Sequence, residues 1–463
     1  MKNKIALLLV LIMAISSVAL FASCDPPEKF ISSLTINGTP LSEFVIVYDE
    51  DSLDYNLRAA EYIRDTVIKK HNLELKIIDD DAEKAEHEIV VGETSRAISK
   101  ALDEKTEGFE FSVLATDGSI ALEGDYFIIA AAAYYFIETY ASELDGNATV
   151  PEVASVHKPI TKEAKNFIML IGDGMGLYQT LMFDYVDYTV DYSDGEDLFY
   201  GYLFPYIGYS RTESLSGITD SAAGGTALAC GVKTYNEYIG RDKDLSDVKN
   251  LTELAYELGM SACVMSTENE TGATPSTFAA HASDRDSTGD LMGALIDANL
   301  NYGTIIDCGY DYYIPDRVKL IEESIEENLE VLSSNEKGFF LMYEEAHIDK
   351  HCHNNDLTKT FNALVRFNQA IARFMEFAFY NPDTFVLITA DHETGKLAPD
   401  ESGSLIYSSD YHSTDDVPIF AYGHGAELFN DVNIENIQIA HTIASFMGDD
   451  NFGDQSVYQR LTK

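Results

Sequence analysis

Positive charge is scarce in this 463-residue chain: 31 lysines and arginines stand against 78 aspartates and glutamates, a formal net charge of −47 at pH 7. A field of that sign repels nucleic acid and anionic membrane surfaces, so neither is expected as a partner of the folded surface. It also repels anionic substrates, so a site that handles one needs cations of its own. Otherwise such a surface simply favours solubility. Tryptophan is absent and tyrosine numbers 28, and neither fact points to a function. Five cysteines are too few in so long a chain for a disulfide scaffold. Two motifs are also missing. No Gly-x-Ser-x-Gly elbow surrounds Ser221, so a His-activated serine is not indicated there. The glycine-rich segment Gly172-Asp173-Gly174-Met175-Gly176 has neither dinucleotide nor P-loop spacing.

What is present suffices for a large core: hydrophobic residues make up 46%, and the length suggests two to three domains. The N-terminus reads as a targeting segment. Lys2 and Lys4 precede an apolar run from Ile5 to Phe21, followed by Ala22-Ser23-Cys24, which is a signal peptide over residues 1–23 rather than a membrane span. Small residues before Cys24 resemble the lipobox of bacterial lipoproteins, with Phe21 where leucine is commoner. That resemblance implies lipid attachment at Cys24, a tether over 24–33 and an extracytoplasmic protein anchored to a bacterial membrane; a plainly secreted protein is the alternative. The other cysteines, Cys230, Cys263, Cys308 and Cys352, could pair in three ways and are expected mostly as buried thiols.

From residue 34 to 143 the pattern alternates. Strands are expected at Phe44–Tyr48, Leu75–Ile78 and Glu88–Val91, and an amphipathic helix at Asp54–Lys70 with Leu57, Ala60, Ile63 and Val67 inward. A helix is expected at 94–104. Phe109–Ala115 and Ser119–Leu122 form a hairpin turned at Asp117-Gly118, and an apolar helix covers Ala130–Tyr140. This is a small α/β or α+β domain with no catalytic constellation. Its element order, with Val90-Val91-Gly92 and Leu122-Glu123-Gly124, resembles the small domain before the catalytic barrel of β-hexosaminidases and α-glucuronidases. A spacer that holds the following domain off the membrane is the other reading. Residues 144–162, with Gly146, Pro151 and Pro159, read as a linker.

The second domain, 163–463, opens with the continuous apolar run Asn166–Ile171, as a central parallel strand requires. Asp173 follows at its carboxyl end, where open α/β sheets bind ligands. Asp220 or Ser221 caps a small-residue helix, so Ser221 is either a nucleophile beside a helix N-terminus or only a cap. Ser261–Thr267 reads as a strand and Gly272-Ala273-Thr274-Pro275 opens a helix that runs through His281 to Arg285. Arg285 could clamp a phosphate or form a surface ion pair. A helix is expected at 288–298, a strand at Tyr302–Asp307 and an acidic, solvated helix at 316–332. The run Gly338–Tyr343 reads as a buried strand and leads into Glu344-Glu345-Ala346-His347-Ile348-Asp349-Lys350-His351-Cys352-His353. Asp349 and His353, four apart, would share one face of a helical turn, and carboxylate with imidazole is a zinc-type mixture. A long helix over Asp356–Phe379 precedes a strand at Thr384–Ala390 that ends in Asp391-His392. Tyr411-His412-Ser413, a strand at Val417–Tyr422 and a helix at Glu435–Phe446 close the chain.

Acids and histidines therefore follow three separate apolar strands, at Asp173, at Glu344–His353 and at Asp391-His392. A doubly wound, mostly parallel sheet would bring those strand ends together into a multi-metal centre with Ser221 and Arg285 aimed at it. Two-metal sites hold their ions roughly 3.5–4 Å apart, to activate a nucleophile and stabilise a leaving oxygen. Such ions also supply the positive potential the surface withholds.

The motifs Ile171–Gly176, Thr219-Asp220-Ser221-Ala222-Ala223, Gly231–Asn236, Ala273-Thr274-Pro275, Ile348-Asp349-Lys350 and Ala390–Gly395 resemble the alkaline phosphatase family, from about Lys165 onward. The resemblance implies that Ser221 is the nucleophile and forms a phosphoserine. It implies one zinc on Asp349, His353 and His412, a second on Asp173, Asp391 and His392, and a magnesium on Asp173, Thr274 and Glu344. Arg285 would grip the phosphoryl group, and Lys350, as in the bacterial branch, would contact phosphate through water. Gly272 departs from the pattern, standing where relatives carry Asp or His beside the magnesium, which leaves Glu270 or a water to fill in. The expected function is hydrolysis of many small phosphate monoesters with an alkaline optimum. The alternatives are a phosphodiesterase or sulfatase of the same superfamily, or a degenerate carbohydrate-binding surface protein.

Overall fold

A computed structural model of the chain describes residues 32–52, 54–102, 108–185, 198–309 and 317–462. The expected signal peptide, the lipid-attachment residue Cys24 and most of the tether lie outside these residues. Over the described residues the chain divides into two compact units. One takes the described residues within 32–102, Val113–Leu122 and Tyr135–Ser155, the other those within 108–112, Glu123–Tyr134 and 156–462.

In the first unit Ile77–Asp79, Val45–Tyr48 and Glu88–Val91 lie side by side in parallel, with Ser119–Glu123 parallel to Glu88–Val91. Helix Asp54–His71 turns Ala60, Ile63 and Val67 inward, as their 3.6-residue spacing requires, and Ala59 with them. The expected hairpin is present, and Asp117 and Gly118 both take positive φ, at 49° and 78°, as the tight primed turn demands. The segment expected to be helical at 94–104 holds a single 3-10 turn, Ser99–Ala101. The Arg96 guanidinium, on Glu88 and the carbonyls of Asp80 and Ala82, ties that segment down by side-chain bonds instead. Asn147–Ala148, within 144–162, pairs in parallel with Thr35–Ile36.

The second unit is built on an eight-stranded sheet. Its strands are β1 (Asn166–Gly172), β2 (Tyr206–Arg211), β3 (Ser261–Ser266), β4 (Ile305–Cys308), β5 (Phe339–Glu345), β6 (Thr384–Thr389), β7 (Val417–Tyr422) and β8 (Asn433–Glu435). They run in the order β4-β3-β5-β1-β6-β7-β2-β8. The pairs from β4 through β6 are all parallel, and only β7 runs against its neighbours β6 and β2. This is the expected mostly parallel α/β sheet. Every residue of β1, β5 and β6 is buried, because helices cover such a sheet on both faces. Each buried leucine, isoleucine or phenylalanine there contributes about 1.5–3 kcal/mol. Phe167, Met169 and Ile171 of β1 share one core with Phe340 and Met342 of β5 and Phe385 and Leu387 of β6.

The helices that matter below are α1 (Ser221–Cys230), α2 (Leu251–Leu258), α3 (Ala273–Thr277), α4 (Thr288–Asp297), α5 (Arg317–Ser333), α6 (His347–Cys352), α7 (Leu357–Tyr380) and α8 (Ile437–Met447). Three local expectations fail. The helix opened by Ala273 stops at Thr277 and does not reach Arg285. His281 leaves the helical path to bond the Gly240 carbonyl and the Glu253 carboxylate, at 2.7 and 3.0 Å. The strand expected from Tyr302 begins only at Ile305, because Ala298–Tyr302 form a π-type turn. Helix α5 is not solvated all round: Ile321, Ile325, Leu329 and Leu332 are buried on one side.

Candidate metal centre

The order of the sheet places the site. Strand β1 lies between β5 and β6, in register Ile171↔Glu344 and Ile171↔Thr389, and Glu344 also pairs with Ser266 of β3. The carboxyl ends of four neighbouring parallel strands therefore deliver Asp173, Glu344, Asp391 and the segment from Ser266 onward to one edge. Gly174 is needed at that edge. Its φ of +72° is left-handed, a Cβ there would meet Asp349 at 2.9 Å, and its N–H donates to Asp391 Oδ1 at 3.2 Å.

Ser221 comes from α1. Asp220, not Ser221, is the N-cap: its Oδ1 accepts from the Ala223 N–H at 2.9 Å. Ser221 is thereby released from capping and sits at the first helical position, 5% exposed, with Oγ 3.2 Å from His392 Nε2. Small residues let α1 come this close, since a Cβ on Gly224 would lie 2.9 Å from the Asp391 carbonyl oxygen. Arg285 reaches the same place from a loop, and its Nη1 donates to Asp220 Oδ2 at 3.1 Å. Burial alone would weaken its proton affinity, but Asp220 more than restores it.

The histidines are aimed by their second nitrogens. His353 Nδ1 lies 2.7 Å from the Asp410 carbonyl oxygen and His412 Nδ1 2.8 Å from that of Thr219. A carbonyl only accepts, so both Nδ1 atoms carry hydrogen and both Nε2 atoms turn to each other, 3.0 Å apart. Asp349 closes the group, with Oδ2 3.3 Å from His353 Nε2 and Oδ1 3.6 Å from His412 Nε2. Two nitrogens and a carboxylate facing one point call for a positive charge there. The proton that Asp349 holds on His353, up to about 9, answers that demand, and so would a metal cation.

His412 is far from the rest in sequence. A two-residue antiparallel ladder, Glu393↔Ser413 and Thr394↔His412, brings it in and stacks its ring on that of His392 with centroids 3.6 Å apart. Thr394 has a role that sequence reasoning missed. Its hydroxyl donates to Asp349 Oδ1 at 2.5 Å, so its lone pairs receive the hydrogen of His392 Nδ1, 3.2 Å away. His392 Nε2 is thus left with a lone pair directed at Asp391 Oδ2 (3.3 Å), Asp173 Oδ1 (3.5 Å) and Ser221 Oγ.

The unsatisfied atoms fit ions. Asp173 Oδ1, Asp391 Oδ2, Glu344 Oε1 and Thr274 Oγ1 are all buried without a hydrogen bond of regular geometry, which is costly unless a cation takes them. Burial pushes Asp391 up to about 7, with Asp349 adding to it, and Glu344 up to about 8, with Glu268 adding to it. Burial and the neighbouring acids raise Asp173 as well. Burial would also raise Asp349, but the hydrogen bond with His353 and the charges of His392 and His412 hold it below the usual carboxylate range. Within this centre two sets bring their donor atoms within 4.8 Å of one another, Asp349–His353–His412 and Asp173–Asp349–His392, the latter with Asp349 where Asp391 was expected. Mixed imidazole and carboxylate donors suit zinc, whereas the oxygen-only group Asp173, Thr274 and Glu344 suits magnesium. Apart from Cys24, which lies outside the described residues, the expected site residues are found around this edge of the sheet. Lys350 is there in an unexpected way, its Nζ held 2.6 Å from Glu268 Oε1. Cys230, Cys263 and Cys352 are buried and Cys308 partly so, all as free thiols.

Residues 164–306 and 312–407 match the family described as alkaline phosphatase. Among characterised relatives, alkaline phosphatase 4 of Bacillus subtilis is 29% identical over 297 residues, which are 53% of this chain and 64% of the relative. The alkaline phosphatase of Escherichia coli is 25% identical over 368 residues, 58% of this chain and 78% of the relative. The match thus spans just under two thirds of the Bacillus enzyme. The solved structure of the alkaline phosphatase from the Antarctic bacterium TAB5 superimposes with a TM-score of 0.53 at 26% identity, covering 64% of this chain and all of that one. A variant of that enzyme has magnesium bound.

Proposed function

The chain belongs to the alkaline phosphatase family, and from that premise we propose that it is a phosphomonoesterase acting on many small phosphate monoesters through a phosphoserine at Ser221, with an alkaline optimum. The observation that carries this reading is the placement of Ser221 Oγ 3.2 Å from His392 Nε2, at the N-terminus of a ten-residue helix whose cap, Asp220, holds Arg285. Asp349, His353 and His412 would hold one zinc, Asp173, Asp391 and His392 a second, and Asp173, Thr274 and Glu344 a magnesium. Bound there, these cations would supply the positive charge that lowers the Ser221 pKa and meets the charge on the leaving oxygen.

Arg285, oriented by Asp220, binds the phosphoryl oxygens with its N–H groups, and the α1 N-terminus favours the same negative charge. Ser221 Oγ gives up its proton and forms a bond to phosphorus. The ester P–O bond breaks, and its oxygen leaves as the alcohol after taking a proton. Water then attacks phosphorus, the Ser221 P–O bond breaks, and Oγ recovers a proton. The net change is ester plus water to alcohol plus phosphate. Positioning and charge do most of the work in such a transfer.

A signal peptide and lipid attachment at Cys24 would place the enzyme outside the cytoplasm, with the first domain as a spacer. The test is hydrolysis of an aryl phosphate beside a diester and a sulfate ester, with and without chelator. Preference for the monoester, lost on chelation and in Ser221→Ala, is expected. Faster diester or sulfate turnover would assign the chain to another branch of the superfamily.

A further inference from the structure

Gly272 sits at the start of α3 with φ −55° and ψ 152°, a conformation open to any residue. Space, not backbone freedom, accounts for the glycine. A Cβ added at 272 would lie 2.4 Å from Glu268 Oε2 and 2.8 Å from its carboxyl carbon. The Glu268 carboxylate therefore fills the volume into which a side chain at 272 would project, arriving from just beyond the end of β3 instead of from the α3 N-terminus. Glu270, the nearer candidate by sequence, is not the residue found there.

A chain of hydrogen bonds runs through Glu268, whose carbonyl also accepts from the Gly309 N–H at 2.6 Å. The Glu268 N–H donates to Ser266 Oγ at 2.9 Å, the Ser266 hydroxyl in turn donates to Glu344 Oε2, and Glu268 Oε1 accepts from Lys350 Nζ at 2.6 Å. Its backbone is thus tied to Glu344 through one hydroxyl, and its side chain to α6 through one ammonium. Beside it are the unpartnered oxygens of Glu344, Thr274 and Asp173, in side chains 0%, 1% and 5% exposed. The Glu268 charge is felt by Glu344, Asp173 and Arg285 alike. Carboxylates and a hydroxyl gathered about the start of α3, with Lys350 as counter-charge on Glu268, are the donor types that a hard divalent cation takes.

We propose that Glu268 completes the magnesium pocket of Asp173, Thr274 and Glu344 in place of a side chain at 272, and that it positions Lys350 beside the phosphate site. The inference rests on the metal assignment made above. It explains why glycine is present at 272 and why Lys350 Nζ rests on the Glu268 carboxylate.

The test uses the full-length protein with Glu268→Ala, Glu268→Gln, Gly272→Asp and the double variant Glu268→Ala/Gly272→Asp. Zinc and magnesium contents are measured by elemental analysis across a magnesium titration, and the thermal unfolding midpoint is followed through the same titration. Glu268→Ala and Glu268→Gln should keep the zinc content of the parent protein and need about tenfold or more magnesium for half-saturation, the scale of losing a supporting carboxylate. Gly272→Asp alone should also weaken magnesium binding, because two carboxylates compete for one space. The double variant should recover most of the parent affinity, since removing the Glu268 side chain opens room at 272. Parental magnesium affinity in both Glu268 variants, or no recovery in the double variant, overturns the inference. Should Glu268→Ala fail to fold, the isosteric Glu268→Gln decides. A parent protein that takes up magnesium but hydrolyses no phosphate ester would sink the proposed activity and leave this inference standing; one that takes up no magnesium sinks the inference itself.

Discussion

Ser221 Oγ and His392 Nε2 lie 3.2 Å apart, the spacing of a nucleophile and its general base. The partners of His392 argue otherwise. A base histidine is held by a carboxylate on its far nitrogen, but here Nδ1 meets the Thr394 hydroxyl, and the acids, Asp173 and Asp391, face Nε2 itself. This is how a metal ligand is surrounded. A serine–histidine pair would keep working in chelator. We expect chelation to remove activity, zinc to restore it, and Ser221→Ala to lower kcat by roughly a thousandfold or more with zinc content unchanged. Activity that persists in excess chelator would reject the metal reading.

Thr394→Val removes the one hydroxyl that joins His392 Nδ1 to Asp349 Oδ1 while keeping the volume. The imidazole loses the partner that fixes its tautomer. Zinc affinity should fall by about 10–100-fold, read from competition with a chromophoric chelator. Thr394→Ser should recover most of it. Equal loss in both variants would point to packing rather than to the hydroxyl.

The metal-free protein should respond to pH in the opposite sense to the loaded one. Asp391 is raised to about 7, Glu344 to about 8 and His353 to about 9, each above its value in the unfolded chain. A raised group contributes stability that is complete below its unfolded pKa and is lost as pH rises through its folded pKa. Burial holds His392 and His412 below the usual imidazole range, which works the other way up to about pH 6.5, so the chelated protein should unfold at progressively lower temperature from about pH 7 to pH 9. Loaded protein should not follow this trend, because binding cations requires those groups deprotonated and is favoured by rising pH. Thermal midpoints in chelator and in zinc plus magnesium check this; parallel curves would refute it.

Gly224→Ala tests how closely α1 must approach. The added Cβ would meet the Asp391 carbonyl oxygen at 2.9 Å, and backbone cannot yield as a side-chain tip can. Overpacking of this kind costs about 1–3 kcal/mol. It should also lower kcat more than it raises KM, by displacing Ser221 from the carboxylates. A variant as stable and active as the parent would mean that α1 has slack.

The sheet was legible in the sequence wherever burial on both faces left an unbroken apolar run. Asn166–Gly172, Phe339–Glu345, Thr384–Thr389 and Val417–Tyr422 are of this kind, and each begins or ends within about two residues of the position read from the pattern. The short elements were not legible, because their conformation is set by distant side chains. His281 is drawn off the α3 path by Gly240 and Glu253, and Arg96 replaces a helix with three side-chain bonds. The site was legible in parts. Asp173, the Glu344–His353 segment and Asp391-His392 declared themselves by following strands, whereas His412 has only a two-residue ladder to bring it in, and only resemblance to a family pointed to it. Thr394 was marked only as one residue of the Ala390–Gly395 motif and Glu268 not at all, since a threonine or a glutamate looks like any other until its partners are known.

Asp349 belongs to both donor groups, with His353 and His412 in one and with Asp173 and His392 in the other, and the Thr394 hydroxyl fixes its Oδ1. One carboxylate shared in this way makes the two halves of the centre answer to each other. A cation settling on either side draws on the same negative charge and fixes the orientation that the other side requires. Loading of the two sides should then be coupled, and a calorimetric titration should depart from two independent steps.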